Sequence, residues 1–312
     1  MRRARITGKG RIEIVSVPTP QPGPNEVKIR IGCSGICGSD ILEYLYPAGF
    51  SKCLGHEFAG VVVGVGSKVK SIKRGDRVVA YNFDAQGFAE YAVVKAEHVM
   101  ILPKGLSIEQ GSLIEPVTVV LTGFRYCGFR TGDTCFISGC GTIGLLAVQV
   151  ARAFGARRIV AAEPNPFRRK KASAFGADAV IDARDKSVEG AVVRAAEGKV
   201  DFSIECAGIG TSLLTCAKVT RRGGTVCTLG LNPEPIGVSS YQLFTHNVRF
   251  HTATPFDFKL FEAAGRLMAD KKINPRDIVT HRFDLADIGR AFELAALPNT
   301  RAIKIIIRCN KN

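Results

Sequence analysis

No apolar run in this 312-residue chain approaches the roughly 20 residues that a membrane-spanning helix requires, and the longest, Gly60 to Gly66 and Pro116 to Leu121, are strand-length. No membrane association is expected. The N-terminal Met1-Arg2-Arg3-Ala4-Arg5-Ile6-Thr7-Gly8 is positively charged but leads into no apolar stretch that would act as a signal sequence, so a cytoplasmic location is expected. The ten cysteines, at positions 33, 37, 53, 127, 135, 140, 206, 216, 227 and 309, include no Cys-x-x-Cys pair, which argues against a structural zinc knot or an iron–sulfur cluster. Their scatter also lacks the dense, regular spacing of a small disulfide scaffold, so most are expected to be reduced. The basic clusters Arg168-Arg169-Lys170-Lys171 and Arg221-Arg222 have no interleaved aromatics for base stacking, and they read as a solvated face with no nucleic-acid partner. The net charge of +15, from 43 Lys and Arg against 28 Asp and Glu, still favours anionic small molecules.

What is present is ordinary for a folded protein: 46% hydrophobic and 23% charged residues, in a chain long enough for two domains. From Arg11 to Ala96 the segments are short, β-branched and broken by Gly, Pro, Asn and Asp, as in Glu26 to Ile31 and Arg77 to Ala80. Pro18-Thr19-Pro20-Gln21-Pro22-Gly23-Pro24-Asn25 reads as a loop, because proline removes donors and restricts its neighbour. After Glu115 helical periodicity alternates with apolar strands as far as Ala253, the pattern of βαβ units and a parallel sheet. The tail predicts helices over Lys259–Asp270 and Leu285–Ala296 and a strand over Ala302–Arg308, mixed structure able to rejoin the first domain.

Two constellations carry chemistry. Gly35-Ile36-Cys37-Gly38-Ser39-Asp40 and Gly55-His56-Glu57-Phe58-Ala59-Gly60 set a thiol and an imidazole close together, ligand types that suit Zn²⁺. A lone Cys is more often a small buried hydrophobe. Here, however, Ser39, Asp40 and Glu57 stand directly beside the two ligand types, where polar partners orient imidazoles and tune metals. Flanking glycines allow the backbone to turn tightly around an ion. The pattern reads as half of a catalytic zinc site, which needs about three protein ligands and one open position.

The second constellation is Gly139-Cys140-Gly141-Thr142-Ile143-Gly144, between a strand at Asp133–Ser138 and a helix over Leu145–Phe154. Its first glycine permits the tight turn, the second lets backbone approach a pyrophosphate, and the third allows helix packing, with the helix N-terminus favouring the anion. Glu163 closes the next strand about 20 residues on, placed to accept the adenosine ribose hydroxyls and repel a 2′-phosphate. NAD is therefore expected over NADP, although Arg168 and Arg169 follow closely enough to contact the same ribose or welcome a phosphate.

In the order of these motifs the chain resembles the zinc-containing alcohol dehydrogenases, the medium-chain dehydrogenase family, over nearly its whole length. Gly75-Asp76-Arg77-Val78, Phe88-Ala89-Glu90-Tyr91, Asp201 to Gly208 and Gly223-Gly224-Thr225-Val226 also fall where that family has them. The resemblance implies an α/β fold: a GroES-like, mostly β catalytic domain from residues 1–115 plus 254–312, and a doubly wound Rossmann parallel-sheet coenzyme domain from 116–253. It implies Cys37 and His56 as zinc ligands. Leu113-Ile114-Glu115-Pro116 resembles the polyol and threonine dehydrogenase branches, which makes Glu115 the third ligand and Glu57 a further one, exchangeable with water. Asp40 becomes the partner of His56, and Ser39 the group that takes the substrate hydroxyl's proton. Gly139, Gly141, Thr142, Ile143, Gly144, Glu163, Arg168 and Gly230 become the cofactor contacts, with Ile143 behind the nicotinamide and Gly230 approaching it through backbone. One catalytic zinc per chain, NAD and a homodimer or homotetramer follow.

Two departures from the family stand out. The four-Cys structural zinc loop expected after Val79 is missing, so no structural zinc is expected, and subunit contacts and substrate shape are both affected. Leu42 replaces a His that finishes the proton relay in some members, leaving Glu43 or water as the exit. The stretch from Glu163 to Arg169 looks most like threonine dehydrogenases, whereas Cys37 to Asp40 with Tyr44 and Tyr46 looks closer to sorbitol-type enzymes. The expected reaction is zinc-dependent oxidation of a secondary alcohol to a ketone by NAD. The expected substrate is a polyol, cyclitol or sugar-derived alcohol, phosphorylated ones included. A threonine-type amino alcohol or a non-catalytic NAD-binding sensor are the alternatives.

Overall fold

The structure is a computed structural model that describes residues 1–47, 54–81, 87–253 and 257–310. Fifteen strands are assigned among the described residues. The first seven are β1 (Arg2–Gly8), β2 (Arg11–Ser16), β3 (Glu26–Gly35), β4 (Glu57–Val65), β5 (Arg77–Ala80), β6 (Tyr91–Lys95) and β7 (Val99–Ile101). Then come β8 (Thr134–Ser138), β9 (Arg158–Ala162), β10 (Ala179–Ile181), β11 (Val200–Glu205), β12 (Thr220–Thr228) and β13 (Arg249–Thr252), followed by β14 (Val279–Asp284) and β15 (Lys304–Arg308). The helices are α1 (Gly38–Leu45), α2 (Ile108–Gly111), α3 (Ile114–Tyr126), α4 (Thr142–Ala153), α5 (Pro166–Ala174), α6 (Val188–Ala195), α7 (Gly210–Val219), α8 (Ser240–His246), α9 (Phe258–Ala269) and α10 (Ile288–Ala296). No helix is long and apolar enough to cross a membrane among the described residues.

The chain divides into two compact units: Met1–Glu115 with Phe261–Lys271 and Pro275–Asn312, and Pro116–Leu260 with Lys272–Asn274. The return to the first unit comes at Phe261, later than the expected 254. One reason is local: the Tyr126 hydroxyl donates to Asp257 at 2.9 Å, tying the start of α9 to the second unit. Residue 254 itself, Cys53 and the short span after Tyr81 lie outside the described residues.

In the first unit a seven-stranded sheet runs β14-β15-β3-β4-β5-β7, with β6 paired to β3, and β1 with β2 forms a separate antiparallel ribbon. Strand β3 alternates buried and half-buried positions as far as Ile31, the period-2 signature of a sheet covered on one face. Ile29, Ile31, Phe58, Val62, Val78, Phe88, Phe292 and Ile307 fill the resulting core. The N-terminal ribbon strand β1 was not anticipated, because its arginines mask the alternation that buries Ala4. Of the Phe88-Ala89-Glu90-Tyr91 motif, Ala89 makes an isolated bridge to Arg3, and the regular strand starts at Tyr91.

The second unit carries a parallel sheet in the order β10-β9-β8-β11-β12-β13. Every residue of β8 is buried, as expected of a strand covered on both faces, which is why its apolar run is unbroken. Chain order reverses between β8 and β11, and ligands of such sheets bind at the carboxyl ends of the strands flanking that switch point.

Candidate active site

Cys37 and His56 reach one another because β3 runs out at Gly35 into the turn that starts α1, while β4, hydrogen-bonded antiparallel to β3, begins at Glu57. Gly35 pairs with Glu57 across the two strands, and a Cβ on Gly35 would collide with the Glu57 carboxylate. One ligand atom from each of Cys37, His56 and Glu57 lies within 4.8 Å of the others. Asp40, fully buried, fastens the two ligand segments: its Oδ2 accepts the Cys37 N–H at 2.8 Å and its Oδ1 the Gly55 N–H at 3.0 Å. Its charge also acts on His56. Ser39 hydrogen-bonds to the Cys37 sulfur, one residue beyond the helix start and half-buried.

The electrostatics of this group are those of a cation site. Burial, then the charges of Glu57 and Asp40, push the Cys37 thiol up to about 12. Burial likewise pushes Glu115 up to about 8, against the lowering pull of His56. For His56, burial acts to lower the pKa, but the carboxylates of Glu115, Asp40 and Glu57 together outweigh it and raise it. Thiol, imidazole and carboxylate form a donor set matched to Zn²⁺, and a divalent cation would bring the positive charge these crowded groups are short of. Residues and group fit. Glu115, at the second position of α3, is buried and interacts with Cys37, His56 and Glu57, yet stands outside their tight three-residue group.

Lys304 was missed by sequence reasoning. It is 1% exposed on β15, and its ammonium donates to Glu57 Oε1 at 2.8 Å, Glu57 Oε2 at 2.5 Å and the Ile36 carbonyl at 2.9 Å. Burial lowers its pKa, but Glu57 and then Cys37 more than compensate, so the ammonium stays charged. The available signal was a single charge inside the apolar run Ala302-Ile303-Lys304-Ile305-Ile306-Ile307, because long cationic side chains are almost never fully buried unless paired. Of the two tyrosines that suggested the sorbitol-type likeness, Tyr44 packs edge-on against Phe292 in the core, and Tyr46 lies exposed beneath Lys9.

In the second unit, Gly139 turns the chain at φ +92°, and a Cβ on Gly144 would strike the Gly139 carbonyl, so only glycine lets α4 start this close to β8. A Cβ on Gly141 would meet nothing within 4 Å, which leaves the space above the helix N-terminus open to a phosphate. Thr142 and Ile143 open α4, both half-buried. Glu163, 4% exposed, accepts the Cys140 N–H at 2.7 Å and the Asn165 N–H at 2.9 Å, so it braces the glycine turn from the end of β9. Arg168 sits half-buried in the first turn of α5. A Cβ on Gly230 would collide with the Gly208 N–H, which explains its glycine through packing against the neighbouring loop. Glu205, also unanticipated, holds that loop by accepting from Ala207 N–H at 2.8 Å, Gly208 N–H at 2.9 Å and the Ser212 hydroxyl at 2.7 Å. This cradle fits a dinucleotide pyrophosphate. Because Glu163 braces the turn and is the residue expected to meet the ribose, Glu163→Ala is expected to weaken NADH binding about 10-fold, the scale of lost hydrogen bonds to a charged group, and to narrow discrimination against NADPH. Fluorescence titration with both nucleotides reads this, and an effect confined to zinc content would move the ribose site elsewhere.

The two halves of the chain match two family models: an alcohol dehydrogenase GroES-like domain over residues 23–104 and a zinc-binding dehydrogenase domain over 142–270. The chain is similar to sorbitol dehydrogenase of Ovis aries, 30% identical over 98% of this chain and 95% of the relative. Among solved structures it is similar to 2R,3R-butanediol dehydrogenase from Bacillus subtilis, with 29% identity, a TM-score of 0.89 and 99% of each chain covered. It is likewise similar to galactitol-1-phosphate dehydrogenase from Escherichia coli, with 25% identity, a TM-score of 0.87, and 99% of this chain and 100% of the other covered.

Proposed function

We infer from the zinc-containing medium-chain alcohol dehydrogenase family, to which this chain belongs, that it oxidises a secondary alcohol of a polyol, cyclitol or sugar derivative to a ketone, with NAD as hydride acceptor. The observation that carries this reading is the Cys37, His56 and Glu57 group, three different donor types converging within 4.8 Å beside the buried Glu115. Sorbitol, 2R,3R-butanediol and galactitol 1-phosphate, the compounds named for the relatives, share a hydroxyl beside the secondary alcohol. That common feature supports a vicinal diol as the substrate unit here, and the net charge of +15 keeps phosphorylated polyols within the class.

Zinc, when bound, supplies Lewis acidity toward the alcohol, and NAD accepts the hydride. The residues do the rest. Cys37 and His56 would hold the metal, with Glu115 or Glu57 completing the set. Asp40 fixes the spacing of the two ligand segments through the backbone N–H groups of Cys37 and Gly55. Ser39 is half-buried at the open end of the same helix turn, where its hydroxyl can take a proton from the substrate and pass it to solvent. In the second unit the turn at Gly139 and Gly141, closed by the packing of Gly144, would receive the pyrophosphate, and Glu163 would select the unphosphorylated ribose. Leu231, Ile236, Tyr241 and Phe244 lie exposed in the segment from the end of β12 to α8, which supports a homodimer or homotetramer.

The test is NADH formation by zinc-loaded protein with sorbitol, 2,3-butanediol, cyclitols, phosphorylated polyols and threonine, each repeated with a chelator. A chelator-sensitive signal from one of the diols is expected. A response to threonine alone would move the substrate to an amino alcohol, and silence throughout with NADH still bound would favour the non-catalytic sensor.

A further inference from the structure

At the carboxyl ends of β9 and β10, two carboxylates and two guanidinium groups gather: Glu163, Asp182, Arg169 and Arg184. The strands are parallel with Ile181 beside Ala162, so Asp182 occupies the position next to Glu163. The backbones continue that pairing, with Glu163 N–H donating to the Ile181 carbonyl at 3.1 Å. Asp182 takes Arg184 in a fork, Nε to Oδ1 at 3.0 Å and Nη2 to Oδ2 at 2.6 Å, and also accepts the Arg184 backbone N–H at 3.0 Å. Its Oδ2 lies 3.1 Å from Nη1 of Arg169, which is further held by the carbonyls of Glu163 at 2.9 Å and Pro164 at 2.7 Å. Hydrogen bonds from Arg184, and to a lesser extent the Arg169 charge, keep the Asp182 carboxyl well below the ordinary range, so it is ionised at any working pH.

Glu163 alone would set one negative charge against the two guanidinium groups of Arg169 and Arg184, an arrangement that attracts a phosphate more strongly than it repels one. With Asp182 present, both guanidinium groups are occupied and turned toward a carboxylate. We propose that Asp182 determines cofactor specificity in this chain, denying Arg169 and Arg184 to the 2′-phosphate of NADP and so securing the preference for NAD. The inference rests on the reading of the second unit as a nicotinamide-dinucleotide site.

Its test is binding, without substrate. NADH and NADPH are titrated by fluorescence against the zinc-loaded wild-type chain and the variants Asp182→Asn, Asp182→Ala and Asp182→Glu. Asp182→Asn and Asp182→Ala are expected to raise the NADPH-to-NADH affinity ratio about tenfold, the scale of one charge-assisted hydrogen bond near the surface. That gain should shrink as salt is raised. Asp182→Glu, which keeps the carboxylate, should return the ratio toward wild type, a rescue that a purely structural role would not sort by charge. An unchanged ratio in both neutral variants overturns the inference while leaving the NAD reading intact. Failure of the wild-type chain to bind either nucleotide overturns that reading, and the role of Asp182 with it.

Discussion

Cys37→Ser protein is expected to retain no more than background zinc and to lose more than about 100-fold in turnover, since even an outer partner of a metal ligand commands about 10–100-fold. Serine is nearly isosteric with cysteine, but its hydroxyl stays protonated where a thiolate would bind, and the softest donor of the group is lost. What remains, His56 with the two carboxylates Glu57 and Glu115, has no thiolate and loses the donor that starts the ligand set on the α1 turn. NADH binding should persist, because Cys37 belongs to the first unit and the glycine turn with Glu163 to the second. Metal analysis, steady-state turnover and NADH titration on one preparation separate the cases. Full zinc occupancy with normal turnover would remove Cys37 from the centre, and a joint loss of zinc and NADH binding would point to misfolding.

Lys304→Met should be the most damaging single change to stability outside the hydrophobic core. The ammonium is 1% exposed and bonds to both oxygens of a carboxylate that is itself 1% exposed. Removing one member of such a pair strands the other as a buried charge, which costs about 3–5 kcal/mol. Methionine fills a similar volume, so the loss is electrostatic and no large cavity opens. The double variant Lys304→Met with Glu57→Gln should recover much of the stability, because no charge is then left uncompensated. Denaturant unfolding of wild type, single and double variants reads the difference. A single variant as stable as wild type would mean that Glu57 escapes its burial by taking up a proton or a different partner.

The chain discloses its two chemistries unevenly. The turn from Gly139 to Gly144 is legible because each glycine answers a local demand, and local demands leave a fixed spacing behind. Glu163 is legible for the same reason, as the end of the next strand in a βαβ unit. Cys37 and His56 stand out only because their polar neighbours Ser39, Asp40 and Glu57 surround them. Lys304 stands out only as a lone charge in an apolar run that does not name its partner, and Glu205 and Asp182 bond to groups two or three residues on, an arrangement common to loop carboxylates that marks no role by itself. Lys304 meets Glu57 from 247 positions away.

By itself, then, the sequence determined the α/β class, the succession from short β-branched strands to βαβ units, the presence of soft and borderline metal ligands, and a phosphate-binding turn. All of these follow from side-chain periodicity, glycine conformational freedom and donor chemistry, which act over a few residues. Only the tertiary structure decided that Glu57 faces a buried lysine, that Asp40 fastens two ligand segments through their backbones, and that Asp182 occupies the arginines beside Glu163. Those outcomes depend on which strands lie side by side and on what each buried charge finds there. Desolvation makes such pairings obligatory, but it leaves no local pattern from which to name the partner.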